Sequence, residues 1–75
     1  MSKLPVITGY EVIKALRKTG FIATRHRGSH IRLKKIENGK TIKITVPVHG
    51  ELKKGTLTRI IKDAGLTLDE FLQLL

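Results

Sequence analysis

Three short stretches of the chain carry side chains that can bind an anion or act on one. Gly28-Ser29-His30 puts an imidazole just after a tight turn, at the start of an extended segment. An imidazole in such a place can take up and return a proton near neutral pH. Ser29 has the opposite parity on a regular strand, so a Ser–His nucleophile pair is not expected. Arg32, Lys34 and Lys43 form the second group: three cations on extended segments that contribute no acid to the same face. Lys53-Lys54-Gly55-Thr56 is the third, with two ammonium groups immediately before an expected helix start. Free backbone N–H groups and the helix dipole attract negative charge at such a start. Phosphate is the anion that suits all three groups. Each also has a bland reading, in which long cationic side chains splay into water and a surface histidine is just one more polar residue.

Other chemistries find less support. There is no cysteine, and hence no disulfide, thiol nucleophile or Cys-based zinc site. His26, His30 and His49 lie among positive charges, so neither a metal site nor a cofactor is expected. A Walker-type nucleotide site is excluded because its glycine-rich loop is missing. The three aromatic residues, Tyr10, Phe21 and Phe71, make no stripe on which bases would stack.

Charge supplies the strongest bias. Fifteen Lys and Arg face six Asp and Glu, a net +9. The signs are segregated: residues 1–62 carry +12 and residues 63–75 carry −3. Such a field favours polyanions through counterion release, and nucleic acid or an acidic protein surface are the partners it suits.

Residues 1–75 are expected to form one small domain, since 40% apolar and 28% charged residues allow folding around a single core. The first element is a helix over residues 9–19. Thr8 and Glu11 form a capping box, Val12, Ile13 and Leu16 share a face, and Gly20 takes the left-handed cap. The period then shortens to two. Strands are expected at 21–26, 29–35 and 41–46, with Arg27–Gly28 and Asn38–Gly39 as tight turns and Pro47 as the stop. Phe21 and Ile22 compete for the inward position of the first strand. With Asn38–Gly39 as the loop, Leu33 faces Ile44 and Ile31 faces Val46 on the covered side. His30 then faces Pro47, Arg32 faces Thr45, and Lys34 faces Lys43 on the other. A helix begun by Thr56 carries Leu57, Ile60, Ile61 and Ala64 on one face and stops at Gly65. Thr67 and Glu70 cap a last helix bearing Leu68, Phe71, Leu72 and Leu75. The class is α+β, in the order α-β-β-β-α-α, with helices on one face of a three-stranded antiparallel sheet.

Thr8–Gly20, Gly28-Ser29-His30, Pro47-Val48-His49 and Glu51-Leu52-Lys53-Lys54-Gly55-Thr56-Leu57, in this order and spacing, resemble the HicA (YcfA-like) family of toxins from HicA–HicB toxin–antitoxin systems. The resemblance spans nearly the whole chain, from about Ser2 to Leu75. It implies a fold like that of double-stranded-RNA-binding domains and a ribosome-independent mRNA interferase activity. It implies that this activity depends on the histidine of the Gly-Ser-His motif, here His30. It also implies an acidic HicB antitoxin that covers the active surface.

Together these observations predict a metal-independent endoribonuclease toxin of a type II toxin–antitoxin system. His30 is the expected general base, and His49, two residues past the partner of His30, is the first candidate for the acid. Arg32, Lys34, Lys43, Lys53, Lys54 and Thr56 are the expected RNA contacts. A non-catalytic double-stranded-RNA-binding module would share the charge and the fold. A DNA-binding regulator fits less well, because helix 56–64 offers only Arg59 and Lys62 as bases. The apolar pair Val6–Ile7 is too short for a signal peptide or a membrane span, so the expected compartment is the cytoplasm.

Overall fold

The computed structural model describes residues 3–75; Met1 and Ser2, included in the expected domain and resemblance, lie outside the described residues. The order is α1 (Gly9–Arg17), β1 (Ile22–Arg27), β2 (His30–Glu37), β3 (Lys40–Pro47), α2 (Lys54–Asp63) and α3 (Leu68–Leu72), as the sequence predicts. The capping box at α1 is present. The Thr8 hydroxyl accepts from the Glu11 amide at 3.3 Å, and the Glu11 carboxylate accepts from the Thr8 amide at 3.0 Å. The helix ends at Arg17, two residues before its expected end. There the last turn tightens, with the Lys18 and Thr19 amides donating to the carbonyls of Ala15 and Leu16.

The three strands form one antiparallel sheet in the order β1-β2-β3. Asn38 and Gly39 both hold positive φ (51° and 76°), the signature of a type I′ turn. That turn sets the β2–β3 register, which pairs His30 with Pro47, Ile31 with Val46, Arg32 with Thr45, Leu33 with Ile44, and Lys34 with Lys43. All five pairs agree with the sequence-based register. The first hairpin differs by one residue from expectation. Its turn is Gly28–Ser29, with positive φ at Gly28 (+58°) and not at Ser29, so β1 extends to Arg27. A turn with positive φ only at its first central residue is of the II′ kind, which takes glycine at that position.

The core lies on one side of the sheet. Ile31 and Leu33 of β2 and Ile44 and Val46 of β3 are buried against Val12, Ile13 and Leu16 of α1 and Leu57, Ile60 and Ile61 of α2. Phe21 and Phe71 complete it, each essentially inaccessible. Phe21 thus takes the inward position, while Ile22 stays 60% exposed. Both long helices pack against β3. Strand β1 therefore overhangs, and all six of its residues are exposed. Helix α2 starts at Lys54, two residues before the expected Thr56, with Lys53 as an N-cap that makes no side-chain bond. Helix α3 is fastened by Phe71 and by the Lys18 ammonium, which donates to the Leu74 carbonyl at 2.7 Å. Among the described residues no helix is long and apolar enough to cross a membrane.

Gly9 fixes how α1 meets the sheet. A Cβ at this position would collide with the carbonyl group of Pro47 and crowd the Cα of Val48. Helix propensity alone would favour alanine over glycine by about 1 kcal/mol within a helix. The collision outweighs it, because overpacking against fixed backbone costs about 1–3 kcal/mol. Gly9→Ala is therefore expected to lower the melting temperature by up to roughly 16 °C, since the net cost reaches about 2 kcal/mol and a domain of this size loses about 4–8 °C per kcal/mol. A thermal unfolding curve checks the sign, which propensity by itself would give the other way.

Candidate nucleic-acid interface

Alternation on β2 and β3 decides which side chains face away from the helices. Ile31, Leu33, Ile44 and Val46 point inward, so His30, Arg32, Lys34, Lys43 and Thr45 must point outward. His30 is exposed at the end of the sheet, across from Pro47. It lines an open groove with Arg25, Arg27, Arg32 and Thr45. A second depression beside it is lined by Thr24, Arg25, Arg32, Lys34 and Lys43. The face therefore carries Arg25, Arg27, Arg32, Lys34 and Lys43 around one imidazole. Glu37, the only acidic residue on the three strands, has the other parity and pairs with Lys35 at 3.4 Å.

Sequence reasoning missed Arg25 and Arg27. Ala23 pairs with Leu33 and Arg25 with Arg32, so two steps along β1 match one step along β2. Thr24 is the extra residue of a β-bulge, and its hydroxyl donates to the Arg32 carbonyl at 3.3 Å. One extra residue reverses the alternation beyond it. Upstream, Phe21 and Ala23 have inward parity; downstream, Arg25 and Arg27 turn outward, opposite Arg32 and His30. The alternation alone gave no sign of this: a regular strand with Phe21 inward would turn Arg25 and Arg27 toward the helix side, and the shift lies between Ala23 and Arg25.

The third group sits beside this face. Thr56 and Arg59 of α2 line a groove with Lys43, Thr45 and Asp63, and Thr45 also lines the His30 groove. Asp63 is engaged by Arg59 at 3.8 Å. Lys53 and Lys54 are exposed at the start of α2. The loop before them is tied to the sheet. The Val48 amide donates to the Ser29 carbonyl at 2.7 Å, and the Leu52 amide to the Ile7 carbonyl at 2.9 Å. His49 is exposed on this loop, adjacent to the Val48 anchor, and does not line the His30 groove. His26 pairs with Ile31 and so has the helix-side parity; its Nε2 lies 3.1 Å from the Gly28 carbonyl. The three histidines therefore do not gather at one point.

An exposed imidazole among guanidinium and ammonium groups, on a sheet face without carboxylates, can bind phosphate and move a proton. The family described as "HicA toxin of bacterial toxin-antitoxin" matches residues 9–66, from the start of α1 through α2. The chain belongs to the HicA toxin family. Toxins of this family are generally ribonucleases, and membership implies a HicB antitoxin as partner. A search of curated proteins found no match. The matched segment includes the bulged β1, the whole sheet and the Lys53–Lys54 helix start; α3 follows it.

Lys53→Ala combined with Lys54→Ala is expected to weaken RNA binding alike for all sequences. The slope of log affinity against log salt should flatten by about 1.4–1.8 if both side chains reach phosphates. Titrations at several salt concentrations check this, and an unchanged slope would leave both residues outside the interface.

Proposed function

We propose that this HicA-family chain is a metal-independent endoribonuclease that cuts mRNA, acting as the toxin of a type II pair in the cytoplasm, with residues 1–75 working as one domain. The observation that carries the proposal is the exposed His30 ringed by Arg25, Arg27, Arg32 and Thr45 on a face without acid. RNA supplies its own nucleophile. His30, as general base, removes the proton from a 2′-hydroxyl, and the 2′-oxygen attacks the adjacent phosphorus. The P–O5′ bond then breaks, leaving a 2′,3′-cyclic phosphate on one product and a 5′-hydroxyl on the other. Negative charge gathers on the phosphorane oxygens as the attack proceeds, and fixed cations aimed there lower the barrier. Arg32, Lys34 and Lys43 hold the substrate backbone across the sheet, and Lys53, Lys54 and Thr56 hold it at the start of α2. His49, which lies on the neighbouring loop and does not line the His30 groove, is the candidate for the proton that the leaving 5′-oxygen needs. Support for it is the 2.7 Å bond that ties its neighbour Val48 to Ser29, the residue before His30.

His30→Ala should keep its melting temperature, because the side chain is exposed and its loss leaves no cavity. It should lose at least about 100-fold in RNA cleavage, the range expected for a general base. Cleavage of a long RNA in EDTA, wild type beside His30→Ala, measures both claims. A substrate carrying 2′-deoxyribose at the cut position should resist. Undiminished cleavage by His30→Ala would overturn the catalytic assignment. Binding without any cleavage by the wild type would mean a non-catalytic double-stranded-RNA-binding module.

The same charges specify the inhibitor. The HicB partner is proposed to be acidic and to cover His30, Arg32, Lys34 and Lys43. Lys34 and Lys43 face each other directly across the strand pair, and an acidic surface relieves their repulsion while adding attraction of its own. Lys34→Glu with Lys43→Glu should slow association at low salt without unfolding the protein. Stopped-flow mixing with the antitoxin tests this, and an unchanged association rate would place the contact elsewhere.

A further inference from the structure

The bulge at Thr24 does not serve the core. No residue of β1 is buried, since the strand overhangs the helices. A regular β1 would leave the same apolar contacts in place, and Phe21 lies before the irregularity. What the bulge changes is the direction of two side chains. It turns Arg25 to face Arg32 and Arg27 to face His30.

That arrangement is unfavourable in the free protein. Arg25 opposite Arg32 and Lys34 opposite Lys43 are two like-charge pairs in adjacent rows of one sheet face. Like charges placed directly across strands destabilise a sheet. The strands contribute no carboxylate to that face, and Asp63 of α2, which borders it beside Lys43, is engaged by Arg59; turning Arg25 to the other side would have avoided one of the two pairs. The types are also sorted by position. Guanidinium groups, Arg25, Arg27 and Arg32, share the His30 groove, while Lys34 and Lys43 stand farther from it. A planar guanidinium donates two parallel hydrogen bonds to phosphate oxygens, whereas an ammonium acts as a point charge.

We propose that Arg25 and Arg27, aimed by the bulge at Thr24, are phosphate-binding residues of the His30 site. Arg27 grips the non-bridging oxygens of the phosphate that His30 acts beside, and Arg25 with Arg32 grips the neighbouring one. The catalytic part of this assignment rests on the ribonuclease reading above; the binding part does not.

The test moves a charge without changing the total. His26→Arg with Arg27→Gln keeps the formal charge but shifts the guanidinium to the helix-side parity of β1. Arg27→Gln alone, Arg27→Lys and Arg25→Gln complete the set. Cleavage of a long RNA in EDTA is measured alongside affinity for a 2′-deoxy-blocked RNA in the His30→Ala background, at several salt concentrations. The relocated variant is expected to cleave at least about 100-fold more slowly than wild type, the loss typical for one aimed donor. Its salt slope should flatten by about one. Arg27→Gln should match it, Arg27→Lys should recover part of the rate, and Arg25→Gln should chiefly weaken binding. All four should melt near wild type, because the positions are exposed. If the relocated variant cleaves and binds as wild type does, net charge suffices and the proposal is overturned, whatever His30→Ala shows. If His30→Ala remains active while the relocated variant still loses affinity, the ribonuclease assignment of His30 falls and the arginine site stands.

Discussion

Burial of one face of β2 and β3 is the constraint from which the site follows. Ile31, Leu33, Ile44 and Val46 each gain about 1.5–3 kcal/mol when removed from water, and together they decide which way both strands face. Strand geometry then leaves no choice for their neighbours. Arg32, Lys34 and Lys43 must share the opposite face, with Lys34 directly across from Lys43. The repulsion of such a pair amounts to a few tenths of a kcal/mol up to about 1 kcal/mol. The hydrophobic term is several times larger, so the fold holds like charges together that would separate if free. A face charged in this way gains more from an anion than the same cations scattered over a sphere.

Strand β1 extends the charged face at no expense to the core. It lies at the edge of the sheet, on the far side of β2 from the strand that α1 and α2 pack against, and all six of its residues are exposed. An edge strand can accept a bulge because only one neighbour constrains its register, and a bulge also blunts the edge against unwanted pairing. Here the irregularity separates two demands. Residues before it follow Phe21, which must reach the core, and residues after it follow His30 and Arg32, which face solvent. The Gly28–Ser29 turn then delivers His30 next to Arg27.

The remaining elements set the position of the α2 start. Gly9 allows the first turn of α1 to touch the Pro47 backbone, a contact no other side chain would permit. From there the chain is held by a bridge between Thr8 and Glu51 and by the Leu52–Ile7 hydrogen bond. Lys53 and Lys54 are consequently presented beside the β3 edge, where Thr56 and Thr45 line a shared groove. Lys53 caps no amide with its side chain, so the helix start keeps donors and positive charge turned toward solvent. Helix α3 lies beyond the family match and is bound to the body through Phe71 and the Lys18–Leu74 contact.

Local rules were enough for most of the architecture. Capping boxes at Thr8 and Thr67, the Asn38–Gly39 turn and the spacing of Leu57, Ile60, Ile61 and Ala64 each depend on residues within a few positions of one another. The β2–β3 register follows from one turn plus alternation, and so His30, Arg32, Lys34 and Lys43 could be placed on one face from the sequence alone. Boundaries set by weaker local signals moved. Helix α2 begins at Lys54 because backbone geometry started it before the favoured cap residue, and the first turn shifted by one because Gly28 takes its first position. The direction of Arg25 and Arg27 lay outside local reach. It depends on Phe21 being claimed by a core that helices distant in sequence assemble, while β2 dictates the pairing of the same strand's far end. Two constraints of opposite parity meet within six residues, and only the assembled sheet, by admitting one unpaired residue at Thr24, satisfies both.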